Sequence, residues 1–303
     1  MTTALQGARR RIPAFVNPAA GGAAGVKDAL DKAGAFDVHE TEPKALRTAL
    51  RSAVEGGATR VLVAGGDGTL RSAASVLAGT PVELAVLPAG TLNHFAKYLG
   101  MPTDPSEAAA LASTGAVRTV DVGSVNGRVI LNTSSVGAYV TFVRVRNRVE
   151  THLAYRAASL IALARVIAHL HTLRVVVDAG GQHQVYSTPL VFVGIGEREI
   201  GLPMLGARVP GGRRGLHILV VRGKRRAQLL LRAVAVATRG LHTLPRTSRE
   251  GIDSFLTDRC LVEMRGGRTR VGIDGEIIRM RVPLHYRIAR DALRVVAPPE
   301  GAG

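Results

Sequence analysis

The residues best suited to chemistry in this sequence are Gly65-Gly66-Asp67-Gly68-Thr69, which close an apolar, strand-like run. Glycines let the backbone turn sharply and approach phosphate oxygens, and the N–H groups at the start of a following helix stabilise negative charge. Asp67, set among these glycines, is placed to reach a metal ion or the proton of a hydroxyl. The pattern predicts a phosphate-binding loop; the alternative is an ordinary strand–helix turn with Asp67 as a cap.

Two further loops of small residues close strand-like runs in the same half of the chain, Asn17–Gly22 (NPAAGG) and Pro88–Asn93 (PAGTLN). In a doubly wound sheet, ligands bind beyond the carboxyl ends of the strands, so three such loops would line one polyphosphate site. The chain has no Gly-x-x-x-x-Gly-Lys-Ser/Thr motif, and no Gly-x-Gly-x-x-Gly follows the first strand. A P-loop site and a dinucleotide-binding Rossmann site are therefore excluded.

Residues 1–122 alternate between strand and helix patterns, which predicts an α/β domain with a doubly wound, mostly parallel sheet. Short runs of β-branched residues bounded by Gly, Pro or Asp predict five strands, at 11–18, 35–41, 60–66, 82–88 and 117–123. Helical patterns lie between them, at Val26–Ala33, Pro43–Glu55, Gly68–Ala78 and Asp104–Ser113. This part of the chain would be the nucleotide-binding domain.

Residues 123–285 have a different sequence pattern, with many strand signals and few helix signals, which predicts a β-rich antiparallel sandwich. The predicted strands are Arg128–Ser135, Leu173–Val177, Gln184–Val193, Leu216–Val221, Leu261–Met264, Arg270–Ile273 and Ile277–Val282. Two arginine-studded stretches, Phe142–Leu170 and Lys224–Leu241, have a helical pattern. This half would be the second domain of the chain.

Positive charge is concentrated in the second half of the chain. Residues 1–122 carry 12 Lys/Arg and 11 Asp/Glu, or +1, whereas residues 123–303 carry 28 and 12, or +16. Such asymmetry is typical of a chain with a polyanionic partner, either nucleic acid or an anionic membrane, and the equally open alternative is a solvated basic surface. With six Phe, five Tyr and no Trp, stacking platforms are few and nucleic-acid binding is not expected. The basic cluster Arg222–Arg226 favours the membrane.

The single cysteine, Cys260, excludes an intramolecular disulfide and suits a reducing cytoplasm. Arginine interrupts the longest apolar stretches, which are shorter than the roughly 20 residues of a spanning helix. The amino terminus has no apolar signal-peptide core. We therefore expect a cytoplasmic protein that binds peripherally at the inner face of the membrane. The sequence leaves the oligomeric state open.

The motifs NPAAGG, GGDGTL and PAGTLNHFAKYLGMP, in this order, resemble the diacylglycerol kinase catalytic-domain family of soluble bacterial lipid kinases, which are related to sphingosine and ceramide kinases. The resemblance continues through Asp121–Gly137, His152–Tyr155 and Ile273–Glu276. It implies a diacylglycerol-kinase-like fold, also related to that of NAD kinases, and transfer of the γ-phosphate of ATP to a lipid hydroxyl with Mg²⁺. It also implies that the last strands, 286–297, return to the first domain.

The resemblance implies a role for each matched position. Asp67 would act near the Mg²⁺–phosphate centre, and Asp121 would belong to the magnesium network. Either Glu276, as in bacterial members, or Asp67, as in sphingosine-kinase relatives, would accept the proton of the lipid hydroxyl. ATP would be held by Asn17, Thr41, Gly65, Gly66, Asp67, Gly68, Thr69, Leu70, Arg71, Gly90, Thr91 and Asn93.

The chain departs from the family pattern in two places. His94 stands where the family usually has an aspartate of the magnesium network, and Gly212–His217 lacks both acids of a loop that holds a structural Mg²⁺ in many bacterial members. These departures leave two alternatives open beside the lipid kinase. One is a non-catalytic nucleotide- or lipid-binding protein of the same fold, and the other is an NAD kinase, which also carries GGDGT.

Overall fold

The computed structural model describes residues 11–137, 172–199, 208–222 and 251–299. The chain forms two compact units, one running to Val120 and resuming at Arg290, the other spanning Asp121–Ala289. The two predicted helical stretches Phe142–Leu170 and Lys224–Leu241 lie outside the described residues. No helix among those described is long and apolar enough to span a bilayer.

The first unit is built on a parallel sheet, and each of its first four strands lies within a segment that the sequence predicted as a strand. They are β1 (Ile12–Val16), β2 (Phe36–Glu40), β3 (Arg60–Gly65) and β4 (Glu83–Pro88), in the order β2-β1-β3-β4. The central strands β3 and β4 are almost continuously apolar and buried, as expected for parallel strands covered on both faces. Val295 and Val296, near the end of the chain, pair in parallel with β4.

Five helices are described in this unit: α1 (Ala23–Ala33), α2 (Leu46–Glu55), α3 (Asp67–Leu77), α4 (His94–Leu99) and α5 (Pro105–Thr114). Local signals explain several ends: Asp104 accepts hydrogen bonds from the N–H groups of Ser106 and Glu107, and Pro105 occupies the first helical position. Gly34 ends α1 in the left-handed conformation, with a φ of 65°. The sequence predicted four of these helices and missed α4, which has only six residues.

The second unit is a sandwich of two antiparallel layers, which confirms the predicted fold class. One layer has the order β12-β11-β10-β7-β14-β15, and the other places β9, β8 and β13 beside the first half of β16. The strands are β5 (Val117–Val125), β6 (Arg128–Ile130), β7 (Thr133–Gly137), β8 (Leu173–Ala179), β9 (Gln182–Thr188), β10 (Leu190–Ile195), β11 (Leu216–Val221), β12 (Ile252–Thr257), β13 (Arg259–Met264), β14 (Arg268–Ile273), β15 (Glu276–Arg281) and β16 (Leu284–Val296).

The sandwich core explains which faces of the strands are apolar. Val175, Val262 and Tyr286 from one layer join Ile218 and Val271 from the other in a single buried cluster. Along β8, β13 and the first half of β16, the residues on either side of these buried positions are partly or fully exposed, as expected for strands with one face in the core. Burial of these faces is the main source of stability for this unit.

Two strand predictions were wrong because each predicted strand is in fact two. Gln184–Val193 is divided into β9 and β10 at Pro189, which has no N–H to donate to a ladder. Arg128–Ser135 is divided at Leu131 and Asn132, where the chain leaves the β5–β6 pair and enters the layer that contains β7. The sequence also missed β12, whose residues pair with β11 throughout.

Candidate functional site

The carboxyl ends of the four parallel strands bring the predicted nucleotide-binding residues to one edge of the first unit. Asn17 follows β1, Thr41 follows β2, and Gly66 follows β3. The loop that contains Gly90 follows β4. Thr41 is buried and donates its N–H to the Val16 oxygen at 2.8 Å, so the end of β2 is fixed against β1. Ligands of open α/β sheets bind at this edge.

The three loops of small residues contact one another directly. A Cβ atom on Gly90 would lie 2.5 Å from the Cα of Gly66, so the two backbones are in contact. The Gly22 N–H donates to the Ala89 oxygen at 3.4 Å, and the Asn17 side-chain amide donates to the Thr69 hydroxyl at 3.4 Å. Small residues are required here because a side chain on Gly66 or Gly90 would separate the loops that follow β3 and β4.

Several predicted nucleotide-binding residues have packing roles inside this edge. The Leu70 side chain is fully buried in the core, and its N–H donates to the Gly66 oxygen at 3.1 Å. Thr69 is buried, and its side chain excludes any Cβ on Gly65, which would come within 2.6 Å of the Thr69 Cβ. Leu70 and Thr69 therefore shape the loop and do not present their side chains to a ligand. Arg71 differs from them because its side chain is only half-buried.

Asn93 closes the third loop through its own side chain. Its Oδ1 accepts the Gly90 N–H at 2.9 Å and its Nδ2 donates to the Gly90 oxygen at 2.7 Å. Its backbone is left-handed, with a φ of 50°, a conformation that asparagine tolerates better than most residues. Thr91, inside the loop, is exposed.

Asp67 caps a helix, but not the one that it begins. Its Oδ2 accepts the His94 N–H at 3.1 Å and its Oδ1 accepts the Phe95 N–H at 2.9 Å, so both oxygens hold the start of α4. This contact could not be predicted from the sequence, because α4 itself was not predicted. Asp67 thus links the second loop to the third, and it lies at the edge where a phosphate chain would bind.

Asp121, the other predicted magnesium ligand, belongs to the second unit and forms a bidentate ion pair with Arg214. Its Oδ2 accepts the Arg214 Nε at 2.9 Å, and its Oδ1 accepts the second guanidinium nitrogen. Across the described ranges, no group of three His, Cys, Asp or Glu side chains is arranged to hold a metal ion. Asp67 and Asp121 thus each have partners within the protein, and among the described residues neither belongs to a group of three such side chains that could hold Mg²⁺.

The loop at Gly212–His217, where the sequence lacks the family's acids, is fixed by its own polar contacts. The N–H of Arg213 donates to Glu197 at 2.9 Å, and this bond, with the Arg213 guanidinium, lowers the pKa of Glu197. His217 is buried and accepts the Arg198 N–H on Nδ1 at 2.7 Å, which leaves Nε2 to donate to the Ser254 hydroxyl at 2.7 Å. Burial lowers the pKa of His217, so the ring is neutral and structural.

Glu276 is placed by a tight turn in the β14–β15 hairpin. Asp274 and Gly275 have positive φ values of 47° and 88°, as in the type I′ turns that Asp-Gly favours. Glu276 is the first residue of β15, and it is exposed. The Asp274 carboxylate accepts three backbone N–H groups at 2.8–2.9 Å, from Leu131, Asn132 and Thr133.

Asp274→Ala is expected to destabilise the second unit by about 2–4 kcal/mol, because it leaves three buried or half-buried N–H groups without their charged acceptor. Denaturant unfolding measures the change, and the exposed Glu263→Gln, which also removes one carboxylate from this unit, serves as the control. A loss no greater than that of the control would contradict the anchoring role of Asp274.

The geometry defines an α/β domain with three interlocked small-residue loops at its ligand-binding edge, followed in the chain by a β-sandwich. Over residues 11–125 the chain matches the diacylglycerol kinase catalytic domain, which confirms the resemblance that its motifs predicted. The match includes every loop of the site edge.

Curated relatives are similar to a stretch of this chain of comparable length. A Pseudomonas fluorescens protein named "Probable lipid kinase YegS-like" is 42% identical over 96 residues, which are 30% of this chain and 32% of that protein. A Mycobacterium tuberculosis protein named "Diacylglycerol kinase" is 37% identical over 124 residues, 38% of this chain and 40% of that protein. The matched region thus spans about a third of the length of these relatives.

Solved structures extend the likeness in fold to nearly the whole chain. A crystal structure of a diacylglycerol kinase from Bacillus anthracis str. Sterne has a TM-score of 0.66 at 22% identity and covers 95% of this chain and 97% of that one. A second crystal structure from the same strain has a TM-score of 0.72 at 23% identity, with the same coverage. At this identity the structures show a shared fold.

Proposed function

We propose that this protein is an ATP-dependent lipid kinase that transfers the γ-phosphate of ATP to a lipid hydroxyl. The observation that carries the proposal is the contact of three small-residue loops at the carboxyl edge of the parallel sheet, inside the segment that matches the diacylglycerol kinase catalytic domain. Backbone surfaces of this kind are suited to a polyphosphate, and the rest of the fold is shared with diacylglycerol kinase structures.

The triphosphate would lie against the start of α3, where the first N–H groups of a helix have no partner within it. Gly66 and Gly90 keep this approach open, since neither carries a side chain, and Thr41 and Thr91 flank it. Because no metal site is formed by the carboxylates that the structure describes, Mg²⁺ would enter with the nucleotide, as the MgATP substrate. Asp67, which holds the third loop in place, would position the phosphate chain.

The lipid hydroxyl must lose a proton as it attacks the γ-phosphorus, and Glu276 is the residue we propose to accept it. It is exposed, and its backbone position is fixed by Asp274. The substrate would be drawn from an anionic membrane to which the protein binds peripherally. Of the basic cluster proposed for that contact, Arg222 is paired with Asp253 at 2.7 Å, and the remaining residues lie outside the described ranges.

Glu276→Gln is expected to lower turnover by about 10²–10⁴ while leaving ATP affinity and thermal stability unchanged, because glutamine keeps the size and polarity of the side chain but cannot accept the proton. Steady-state phosphorylation of the lipid, together with ATP titration, measures both quantities. Glu263→Gln removes an equally exposed carboxylate in the same unit and should leave turnover unchanged. Equal turnover in the two variants would show that Glu276 is not the acceptor.

The proposal is tested by transfer from γ-labelled ATP to a panel of lipids in mixed micelles, including diacylglycerol, a sphingoid base and ceramide. Label transferred to NAD instead would identify an NAD kinase. ATP binding without transfer to any acceptor would identify a non-catalytic binding protein. That alternative has one specific observation in its favour, since both oxygens of Asp67 and of Asp121 are already engaged within the protein.

A further inference from the structure

Four arginines form a two-by-two array on the outer face of the β14–β15 hairpin. In the register of the two strands, Arg268 lies directly opposite Arg281, and Arg270 lies directly opposite Arg279. The two pairs are two residues apart along each strand, so all four side chains leave the same face. We refer to these four residues as the arginine array.

The array faces solvent. Each of its four side chains is exposed, whereas the intervening Met280 is buried in the sandwich core. In the part of the chain that the structure describes, none of the four forms an ion pair. The hairpin lies at the edge of its layer, where β15 has a partner on one side only among the described strands.

Like charges placed directly opposite each other destabilise an antiparallel pair, because their Cβ atoms are only about 5 Å apart. Two such pairs on one hairpin concentrate four positive charges on a small, flat surface. The two acids of the hairpin do not offset them there: Asp274 is bound to three backbone N–H groups, and Glu276 lies at the turn. An external anionic surface would relieve this repulsion.

We infer that the arginine array docks on anionic phospholipid headgroups. The choice of a membrane as partner rests on the proposed lipid substrate, and the hairpin itself supports it. Ile277 lies beside Arg279 on the same face and is half-buried, so an aliphatic side chain adjoins the charges. The hairpin has no aromatic ring on which a nucleic-acid base could stack.

A second cross-strand arginine pair provides a matched control. Arg259 on β13 lies directly opposite Arg287 on β16, and both are exposed. These two residues line one pocket together with Asp178 and Asp258, so acidic side chains accompany the charges. The pair has the same geometry and the same formal charge as one row of the array, but it lies on the other layer of the sandwich.

The test is binding of the full-length protein to vesicles of phosphatidylglycerol and phosphatidylcholine in equal parts. The double variant Arg270→Gln with Arg279→Gln is expected to bind about 30-fold more weakly at low salt, since each basic residue at such a surface contributes about five-fold. The control, Arg259→Gln with Arg287→Gln, should stay within about two-fold of the wild type. Arg270→Lys with Arg279→Lys should retain binding because it keeps the charge.

Three results would overturn the inference: no loss in the array variant, an equal loss in the control, or binding to duplex DNA that is tighter than to vesicles and lost in the same array variant. Thermal unfolding of each variant shows whether the hairpin still folds. The vesicle-binding assay does not depend on catalysis, and the phosphorylation assay with lipid in micelles does not depend on docking to a bilayer. Docking and the proposed kinase activity can therefore fail separately.

Discussion

Asp67→Asn is expected to lower lipid phosphorylation by about 10²–10⁴. The two carboxylate oxygens accept the N–H groups of His94 and Phe95. An asparagine offers one acceptor and places an NH₂ group against the other donor, so the third loop loses its anchor as the charge near the phosphates is lost. Steady-state kinetics with ATP and lipid, together with ATP titration, measure the outcome.

Asp104→Asn is the matched control for this prediction. Asp104 accepts the N–H groups of Ser106 and Glu107 at the start of α5, so it is also an aspartate that caps a helix with two backbone contacts. Asparagine caps a helix about as well as aspartate, and a single oxygen of Asp104 accepts both N–H groups, so the asparagine oxygen can replace it. Asp104→Asn should therefore keep nearly wild-type stability with full activity. If Asp67→Asn also keeps full activity, Asp67 acts only as a helix cap, and the result would favour a non-catalytic binding protein over a kinase.

Gly90→Val is expected to abolish ATP binding and to destabilise the first unit by about 1–3 kcal/mol. The new Cβ would lie 2.5 Å from the Gly66 Cα and 2.9 Å from the Asn93 Oδ1, so the loops that follow β3 and β4 must move apart. The surface that the two glycines present to the nucleotide would be lost with their contact. Calorimetric titration with ATP and denaturant unfolding measure the two effects.

Gly25→Ala provides the comparison, because a Cβ at Gly25 meets no atom within 4 Å. Gly25 lies within α1, where alanine is favoured over glycine by up to about 1 kcal/mol. This variant should bind ATP with the affinity of the wild type and unfold at a slightly higher denaturant concentration. If Gly90→Val bound ATP with wild-type affinity, this result would show that the contact between the loops is not part of the nucleotide site.

The fold class and most of the site edge were predictable from the sequence, because their signals are local. Apolar runs that end in glycine or asparagine predicted β1, β3 and β4 with their loops, and α/β alternation placed those loops at one edge. The β-rich second half was predictable from its strand patterns for the same reason. The predicted strands failed only where the chain crosses between layers or meets a proline, as at Pro189.

What only the tertiary structure decided are the contacts between residues far apart in sequence. Asp67 reaches a helix 27 residues later, and Asp121 pairs with an arginine 93 residues later. The sequence showed both as carboxylates available to a metal, since nothing local indicates which donors the fold brings to them. The arginine array has the same origin: its members alternate with Thr269 and Met280 along the two strands, but only the register of the hairpin sets Arg270 opposite Arg279. Local patterns determine the elements, and the packing of those elements determines which charges meet.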